Sequence, residues 1–424
     1  MTPLKNQKLR IAIFAPFLPG RGHGGVESVI IGLVTWLGKL DGPEEYVIIG
    51  PEKDPEWLKP HAGPNQKFVS PPHLPARSKF AEMMRLSLKS IRPLWRQIKK
   101  ELIPEPSSWP EMPISNGFYE GLGCDIIHFP YQAFVLCALP AIYNPHDIQH
   151  LHYPQFFNPD ELAWRETILR KGCQIAKTVV VASQWVKEDI IKNYSINQEK
   201  IQVIPFAPPT NVFPEPTEEG QKKVLSKYRV KTPFALYPAA TWPHKNHIRL
   251  MEALALLKNR NNLAVKLICT GNKTEFWPQI KERISALGLE NEVQFLGIIP
   301  AKELRALYKT AQFVIIPTLF EAASGPLFEA WQEGVPAACS NVTSLPEQAG
   351  DGALIFNPFS TEDIAETIFQ MVSDSKLREE LIKNGNKRLQ NFSWEKTAKT
   401  YRAIYRQTAG YPLTEEELFL LGKN

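Results

Sequence analysis

No stretch of the 424 residues is apolar for long enough to cross a bilayer. The longest runs, such as 133–143, fall well short of the roughly 20 residues that a transmembrane helix needs. The opening MTPLKNQKLR has no signal-peptide core and leads straight into a strand, so the chain is expected to work in the cytoplasm, if anywhere near a membrane then at its inner face. Cysteine is scarce. The five, Cys124, Cys137, Cys173, Cys269 and Cys339, are odd in number, and none pair at metal-ligand spacing. That excludes a disulfide framework and fits reduced core thiols. Charge of one sign is also in short supply: 49 Lys and Arg oppose 44 Asp and Glu, for a net charge of +5. A mildly basic chain suits anionic small ligands or an acidic membrane surface, but the excess is too small to argue for nucleic acid.

What is present is alternation. Residues 9–15 read as a buried strand, and Val26, Val29, Ile30, Leu33 and Leu37 give 26–40 the spacing of an amphipathic helix. Further strand-like runs fall at 46–49, 124–129, 138–144, 177–182 and 201–204. At 205–220 the composition becomes PFAPPTNVFPEPTEEG, too rich in proline for a helix or a central strand. The alternation then restarts, with strands expected at 234–238, 264–270, 292–296, 312–316, 336–340 and 353–356 and helices at 246–258 and 301–310. Strands separated by helical patterns predict parallel α/β units with right-handed crossovers. The fold class is therefore α/β, in two Rossmann-like halves: 1–205, a linker at 206–230, and 231–392. A last helix at 393–408, capped by Ser393 with Glu395 in its first turn, belongs with the first half.

Residues 51–120 are less regular. Within them Phe80, Met84, Leu88, Ile91, Trp95, Ile98 and Leu102 form a helical stripe, and 77–100 holds eight basic residues against Glu82 alone. Two readings stand: a helix lying on an anionic membrane surface, or a surface helix packed on the first half.

Gly20, Gly22 and Gly25 satisfy G-x-G-x-x-G, the spacing of a dinucleotide-binding loop. In such a loop the glycines follow the first strand directly, whereas here Pro16 to Pro19 intervene and no acidic residue closes the second strand in the usual place. Gly24 and Gly25 instead open a helix, whose free N–H groups and positive end make a site for an anion.

The sharpest signal is FEAASGPLFEAWQEG at 320–334. Ser324 is a good N-cap and Pro326 suits a first turn, so a helix should start there. Glu321 then lies in the preceding loop and Glu329 about one turn into the helix. The amides near Gly325, Leu327 and Phe328 can face a phosphate, and the two carboxylates can accept hydrogen bonds from paired sugar hydroxyls. A second segment, YPAATWPHKNH at 237–247, follows a strand and opens a helix near Asn246, which sets Lys245 at a helix N-terminus where a diphosphate would be held.

These motifs together resemble glycosyltransferase family 4: Glu-x7-Glu after a strand, a lysine in the first strand-to-helix loop of the second half, Gly-Gly-Val-Glu near the N-terminus, and His146-Asp147. The resemblance runs from about residue 9 to 408. It implies the GT-B architecture of two facing Rossmann-like domains with a nucleotide-sugar cleft between them. It also implies transfer with retention and no cofactor beyond the nucleotide-sugar donor. By the same resemblance Glu329 binds ribose hydroxyls, Glu321 binds the transferred sugar, and Lys245 offsets the diphosphate. Gly24 and Gly25 approach from the first domain. His146 sits by the transferred sugar with Asp147 supporting it. Gly271, Asn272, Gly297 and Ile298 line the base. Many members carry an arginine six residues before the lysine. Ala239 stands there instead, and Thr241 and Asn246 with the helix amides are the expected substitutes. Many members also carry a glycine right after the first glutamate and then a Phe-Gly pair, where Ala322 and Ala323-Ser324 stand here.

His146, His150 and His152 do not complete a metal set, and no Asp-x-Asp motif lies in a suitable place, so no metal is expected. A glycosidase pair is disfavoured because Glu329 falls on the nucleotide side. The leading expectation is a hexosyltransferase. Mannose from GDP-mannose is the best guess, passed to a saccharide or lipid-linked saccharide in polysaccharide synthesis. The rivals are another nucleotide-sugar enzyme, epimerase-like, and a non-catalytic binding module.

Overall fold

A computed structural model of the chain describes residues 8–18, 25–71, 110–208 and 214–423. The Gly20, Gly22 and Gly24 expectations and the 77–102 stripe lie outside these residues. Two sheets organise the rest. The first has seven strands in the order β3-β2-β1-β4-β5-β6-β7. They are β1 (Arg10–Phe14), β2 (Glu45–Ile49), β3 (Gln66–Val69), β4 (Ile126–Phe129), β5 (Ala141–Tyr143), β6 (Thr178–Val181) and β7 (Ile201–Val203). The second has six, in the order β10-β9-β8-β11-β12-β13. Its strands are β8 (Ala235–Pro238), β9 (Leu267–Thr270), β10 (Val293–Phe295), β11 (Phe313–Ile316), β12 (Ala337–Ser340) and β13 (Ala353–Phe356).

Neighbouring strands run parallel, as in β1 with β4, where Ile11 pairs with Ile126, and β8 with β11, where Ala235 pairs with Phe313. Both sheets are doubly wound, because each has one point where sequence order reverses direction, between β1 and β4 and between β8 and β11. Ligands of such sheets bind beyond the carboxyl ends of the strands at that point.

The strands of the second sheet are apolar on both faces, and the period of two sorts their side chains. Tyr237, Leu267, Cys269, Phe313 and Ile315 face one core with Leu250, Met251 and Leu254 of the His247–Asn261 helix. Phe234, Leu236, Ile268, Val314 and Ile316 face the other, with Leu307 and Tyr308 of the Ala301–Thr310 helix and Leu327, Phe328 and Trp331 of the Gly325–Gln332 helix. Each such buried side chain contributes roughly 1.5–3 kcal/mol. Cys124, Cys173, Cys269 and Cys339 are buried free thiols, and Cys137 is half-buried and free.

The predicted strands of the second half are all present. The structure adds β3, and it ends the proline-rich stretch sooner: a helix at Glu218–Tyr228 begins two residues after Pro216, with the Thr217 side chain accepting from Gly220 N. The last long helix is Trp394–Ala409, and Ser393 Oγ accepts from Lys396 N at 3.1 Å as an N-cap should. A further helix, Glu415–Leu420, carries a capping box of Thr414 and Glu417.

By contact density the chain divides into two units. One is drawn from Met1–Pro19, Asp41–Val179 and Tyr405–Pro412, the other from Gly20–Leu40, Val180–Ile404 and Leu413–Asn424. In the first, fully buried His128 bonds Tyr405 Oη at 2.9 Å and Asn144 Oδ1 at 2.8 Å. Arg406 Nε meets Glu44 at 2.6 Å, and Lys177 Nζ donates to Thr408 O at 2.9 Å. In the second, the Gly25–Leu37 helix lies so close to Trp394 that a Cβ on Gly32 would come within 2.1 Å of the indole. Among the described residues no helix is long and apolar enough to cross a membrane.

Candidate active site

The site is built on the second sheet, at the ends of β8 and β11. After Pro238 the chain runs on beside the end of β9, where Ala239 N donates to Thr270 O at 3.0 Å. Gly271 makes room for this segment: its φ is +112°, and a Cβ there would stand 2.7 Å from both Ala239 C and Ala240 N. Thr241, fully buried, ties the two loops together. Its N–H donates to Asn272 O at 2.9 Å, and its Oγ1 accepts from Thr274 N at 2.7 Å. Thr241 thus shapes the loop and its hydroxyl is engaged within it. Gly297, with φ +76°, follows β10, and Gly271 N donates to Gly297 O at 2.8 Å. Ile298 beside it is largely exposed, as is Asn272.

A single 3₁₀ turn, Pro243–Lys245, then delivers Lys245. Tyr237 Oη donates to Lys245 O at 2.7 Å, and His244 O accepts from Leu319 N at 2.7 Å, which pins the turn to the strand below and to the loop after β11. Asn246 adopts the left-handed conformation, φ 60°, and caps the His247–Asn261 helix. Its Nδ2 donates to Pro317 O and Pro358 O, both at 2.9 Å, while its Oδ1 accepts from Arg249 Nη1 at 3.1 Å. Asn246 is buried and joins three loops, so it fixes Lys245 from behind.

Glu321 is held just as tightly by its backbone. Its N–H donates to Thr343 Oγ1 at 3.0 Å, and its carbonyl accepts from Thr343 Oγ1 at 2.6 Å and Ser344 Oγ at 2.7 Å. The two loops bring the side chains together: Lys245 Nζ and Glu321 Oε2 form an ion pair at 2.7 Å, with the side chains 19% and 14% exposed. Ser324 is fully buried and caps the Gly325–Gln332 helix through Leu327 N, and Ser324 N donates to Gln348 Oε1 at 2.9 Å. Pro326 stands in the first turn, as the sequence predicts. Gly325 has open space where a Cβ would be, as does Gly25 at the start of its own helix.

Glu329 lies one turn into that helix, half-buried, and its Oε2 accepts from Tyr308 Oη at 2.6 Å. Burial pushes its carboxyl above the ordinary value, the Tyr308 hydrogen bond pulls it down, and the nearby Glu333 pushes it up. Tyr308, Thr343 and Ser344 were not legible as site residues. Tyr308 reads only as part of an apolar helical stripe, and Thr343 and Ser344 as an ordinary loop.

His146 belongs to the first unit. It sits after β5 with φ 62°, a conformation few non-glycine residues adopt. Its Nε2 lies 3.0 Å from Pro130 O and so carries the proton. Burial lowers its pKa, and Asp147 partly counters this. Asp147 Oδ1 accepts from Gln149 N at 3.0 Å, which starts the single helical turn Gln149–His152. His150 pairs with Glu166 at 3.1 Å. Among the described residues no group of three or more His, Cys, Asp or Glu is placed to hold a metal ion.

A doubly wound sheet with a lysine and two glutamates near its switch point places charged groups where ligands of such sheets bind, and comparison with known proteins makes the class specific. The architecture is shared with a crystal structure of a glycosyltransferase from Rickettsia africae ESF-5, with a TM-score of 0.65 and 19% identity over 95% of this chain and 99% of that one. The fold is GT-B. Residues 23–207 match the family described as Glycosyltransferase Family 4, and residues 220–388 match Glycosyl transferases group 1. O-antigen chain mannosyltransferase B of Escherichia coli is 30% identical over 260 residues, covering 60% of this chain and 67% of that protein. O-antigen chain mannosyltransferase RfbU of Salmonella typhimurium is 27% identical, covering 50% of this chain and 55% of that protein. The chain belongs to glycosyltransferase family 4. It spans between about half and two thirds of the length of these relatives.

Proposed function

We propose that this chain is a retaining hexosyltransferase that moves mannose from GDP-mannose to a saccharide or lipid-linked saccharide acceptor. In this reading it needs no metal and no cofactor besides the donor, and the basic stretch 77–102 meets the inner leaflet of a membrane. The observation that carries the reading is the Lys245–Glu321 pair at 2.7 Å, with Glu329 one turn into the adjoining helix. The choice of mannose leans on the names of the relatives above.

The chemistry follows from charge. Departure of the nucleoside diphosphate is the costly step, and the negative charge that develops on it is met by the Lys245 ammonium and the amides at the start of the Gly325–Gln332 helix. Glu321 accepts hydrogen bonds from the transferred sugar, and Glu329 from the ribose. His146 is assigned to the transferred sugar. The acceptor hydroxyl attacks from the face the diphosphate leaves, and a diphosphate oxygen takes its proton, so no side chain serves as nucleophile.

A panel of nucleotide sugars scored by thermal shift tests the donor, since a ligand that binds only the folded state raises the apparent Tm. GDP-mannose should give the largest shift. A larger shift with a uridine or thymidine donor would reject the donor assignment. Product analysis in excess chelator follows: transferred mannose supports the reading. An isomerised donor would point to the epimerase-like rival, and strict dependence on a divalent ion would reject the metal-free site.

A further inference from the structure

Tyr308 is a fully buried side chain whose hydroxyl bonds the carboxylate of a glutamate of the site, and neither motif nor mechanism has used it. It lies on the Ala301–Thr310 helix, among Leu307, Leu327 and Phe328, where a phenylalanine would fill the same space. The hydroxyl is the part that packing does not explain. A phenol oxygen buried there without a partner would be costly, and the structure gives it one: Glu329 Oε2, at 2.6 Å. Burial and the adjacent carboxylate raise the phenol pKa well above its usual value, so Tyr308 stays a proton donor throughout the working range.

We infer that Tyr308 is a positioning residue that acts on the donor through Glu329, aiming its carboxylate at the ribose hydroxyls; this rests on the reading of Glu329 as the ribose ligand. A donor at this place must orient a carboxylate without cancelling it. An arginine or lysine would neutralise Glu329 and compete with the incoming hydroxyls. A neutral hydroxyl engages one lone pair of Oε2, restrains the rotamer, and leaves the negative charge and Oε1 to the ligand. The charged neighbours Glu333 and Arg305 are already committed to each other: Glu333, the C-cap residue of the same helix, meets Arg305 of the tyrosine's own helix at 2.5 Å. The neutral Tyr308 hydroxyl is the donor that the structure sets on Glu329.

The test is a cycle between side chain and ligand. Binding of GDP and of 2′,3′-dideoxy-GDP is measured by calorimetry on the full chain, its Tyr308→Phe variant and its Glu329→Gln variant; UDP or ADP with its dideoxy form replaces the pair if that base binds more tightly. Tyr308→Phe should weaken the ribonucleotide roughly five- to tenfold and leave the dideoxynucleotide unchanged, and the unchanged binding itself reports an intact fold. Glu329→Gln should erase most of the preference for the ribonucleotide. An equal loss on both nucleotides in Tyr308→Phe, or no loss on either, overturns the inference while Glu329→Gln still discriminates. If Glu329→Gln weakens both nucleotides equally, the ribose reading of Glu329 fails, and the inference with it.

Discussion

Replacing Glu321 by glutamine should separate binding from turnover. In the free protein the lysine assigned to the diphosphate is already engaged, because Lys245 Nζ lies 2.7 Å from Glu321 Oε2 and both side chains are mostly buried. Two unit charges 4 Å apart attract by about 4 kcal/mol at an effective dielectric of 20, and desolvation returns much of that. A net value of about 1.5–3 kcal/mol for a charge-assisted hydrogen bond is the reasonable remainder. A diphosphate has to take Lys245 from this partner. Glutamine is nearly isosteric and keeps an oxygen acceptor, but it removes the competing charge. If half of the remainder returns to the ligand, free nucleoside diphosphate should bind roughly three- to tenfold more tightly, since 1.4 kcal/mol is a factor of ten. Turnover of the sugar donor should move the other way. A carboxylate that accepts from sugar hydroxyls loses a charge-assisted bond, so kcat should fall roughly ten- to hundredfold. Calorimetry with the nucleoside diphosphate and initial rates with the nucleotide sugar read the two effects. Unchanged or weaker diphosphate binding would refute the competition for Lys245, and near-normal kcat would refute the sugar contact.

Three further outcomes follow from the fold. The buried imidazoles of His128 and His247 are pushed down to about 4 and about 3, in both cases chiefly by desolvation. Both are therefore neutral when folded, the unfolded chain takes up protons below its ordinary 6.5, and stability should fall as pH drops from 6.5 toward 4. At 1.36 kcal/mol per unit the loss at pH 5 is about 2 kcal/mol for each, and urea unfolding that is flat between pH 7 and 5 would contradict it. Gly271→Ala forces a Cβ against the Ala239 and Ala240 backbone at φ +112°, so it should lower stability by about 2–4 kcal/mol and displace the Lys245 loop, seen as a lower Tm together with weakened nucleotide binding. Gly32→Ala meets the Trp394 indole, which is anchored to Pro208 O at 3.0 Å, and should cost about 1–3 kcal/mol, whereas Gly121→Ala, with no atom near the added Cβ, should change Tm little.

The second half was the more legible. Its strands are short, mostly apolar runs between helical patterns, and every one reappears, because a largely buried run of that kind fits a strand of a parallel sheet. Ser324, Pro326 and the positions of Lys245 and Glu321 were legible from local rules that need no tertiary contact: a cap, a first-turn proline and the end of a strand. What was missed depends on contacts distant in sequence. Asn246 and Thr241 stand as expected substitutes for the arginine that Ala239 replaces, but the bonds they make to Pro317, Pro358, Asn272 and Thr274 could not be read from sequence. Strand β3 was hidden because QKFV is short and half-exposed. The Glu218–Tyr228 helix was absorbed into a linker because proline dominates the window just before it.

The contacts of Tyr405, Arg406 and Thr408 bear on the order in which the protein can be finished. They satisfy His128, Glu44 and Lys177, groups laid down more than two hundred residues earlier. A ribosome releases those groups long before it makes their partners. The first unit therefore waits on residues made far later, with Nδ1 of the buried His128 imidazole and the buried Glu44 carboxylate short of their Tyr405 and Arg406 contacts until then. A fragment ending near residue 208 should inherit that incomplete state permanently. A stop codon before Tyr405 should damage the first unit far more than its distance along the chain would suggest.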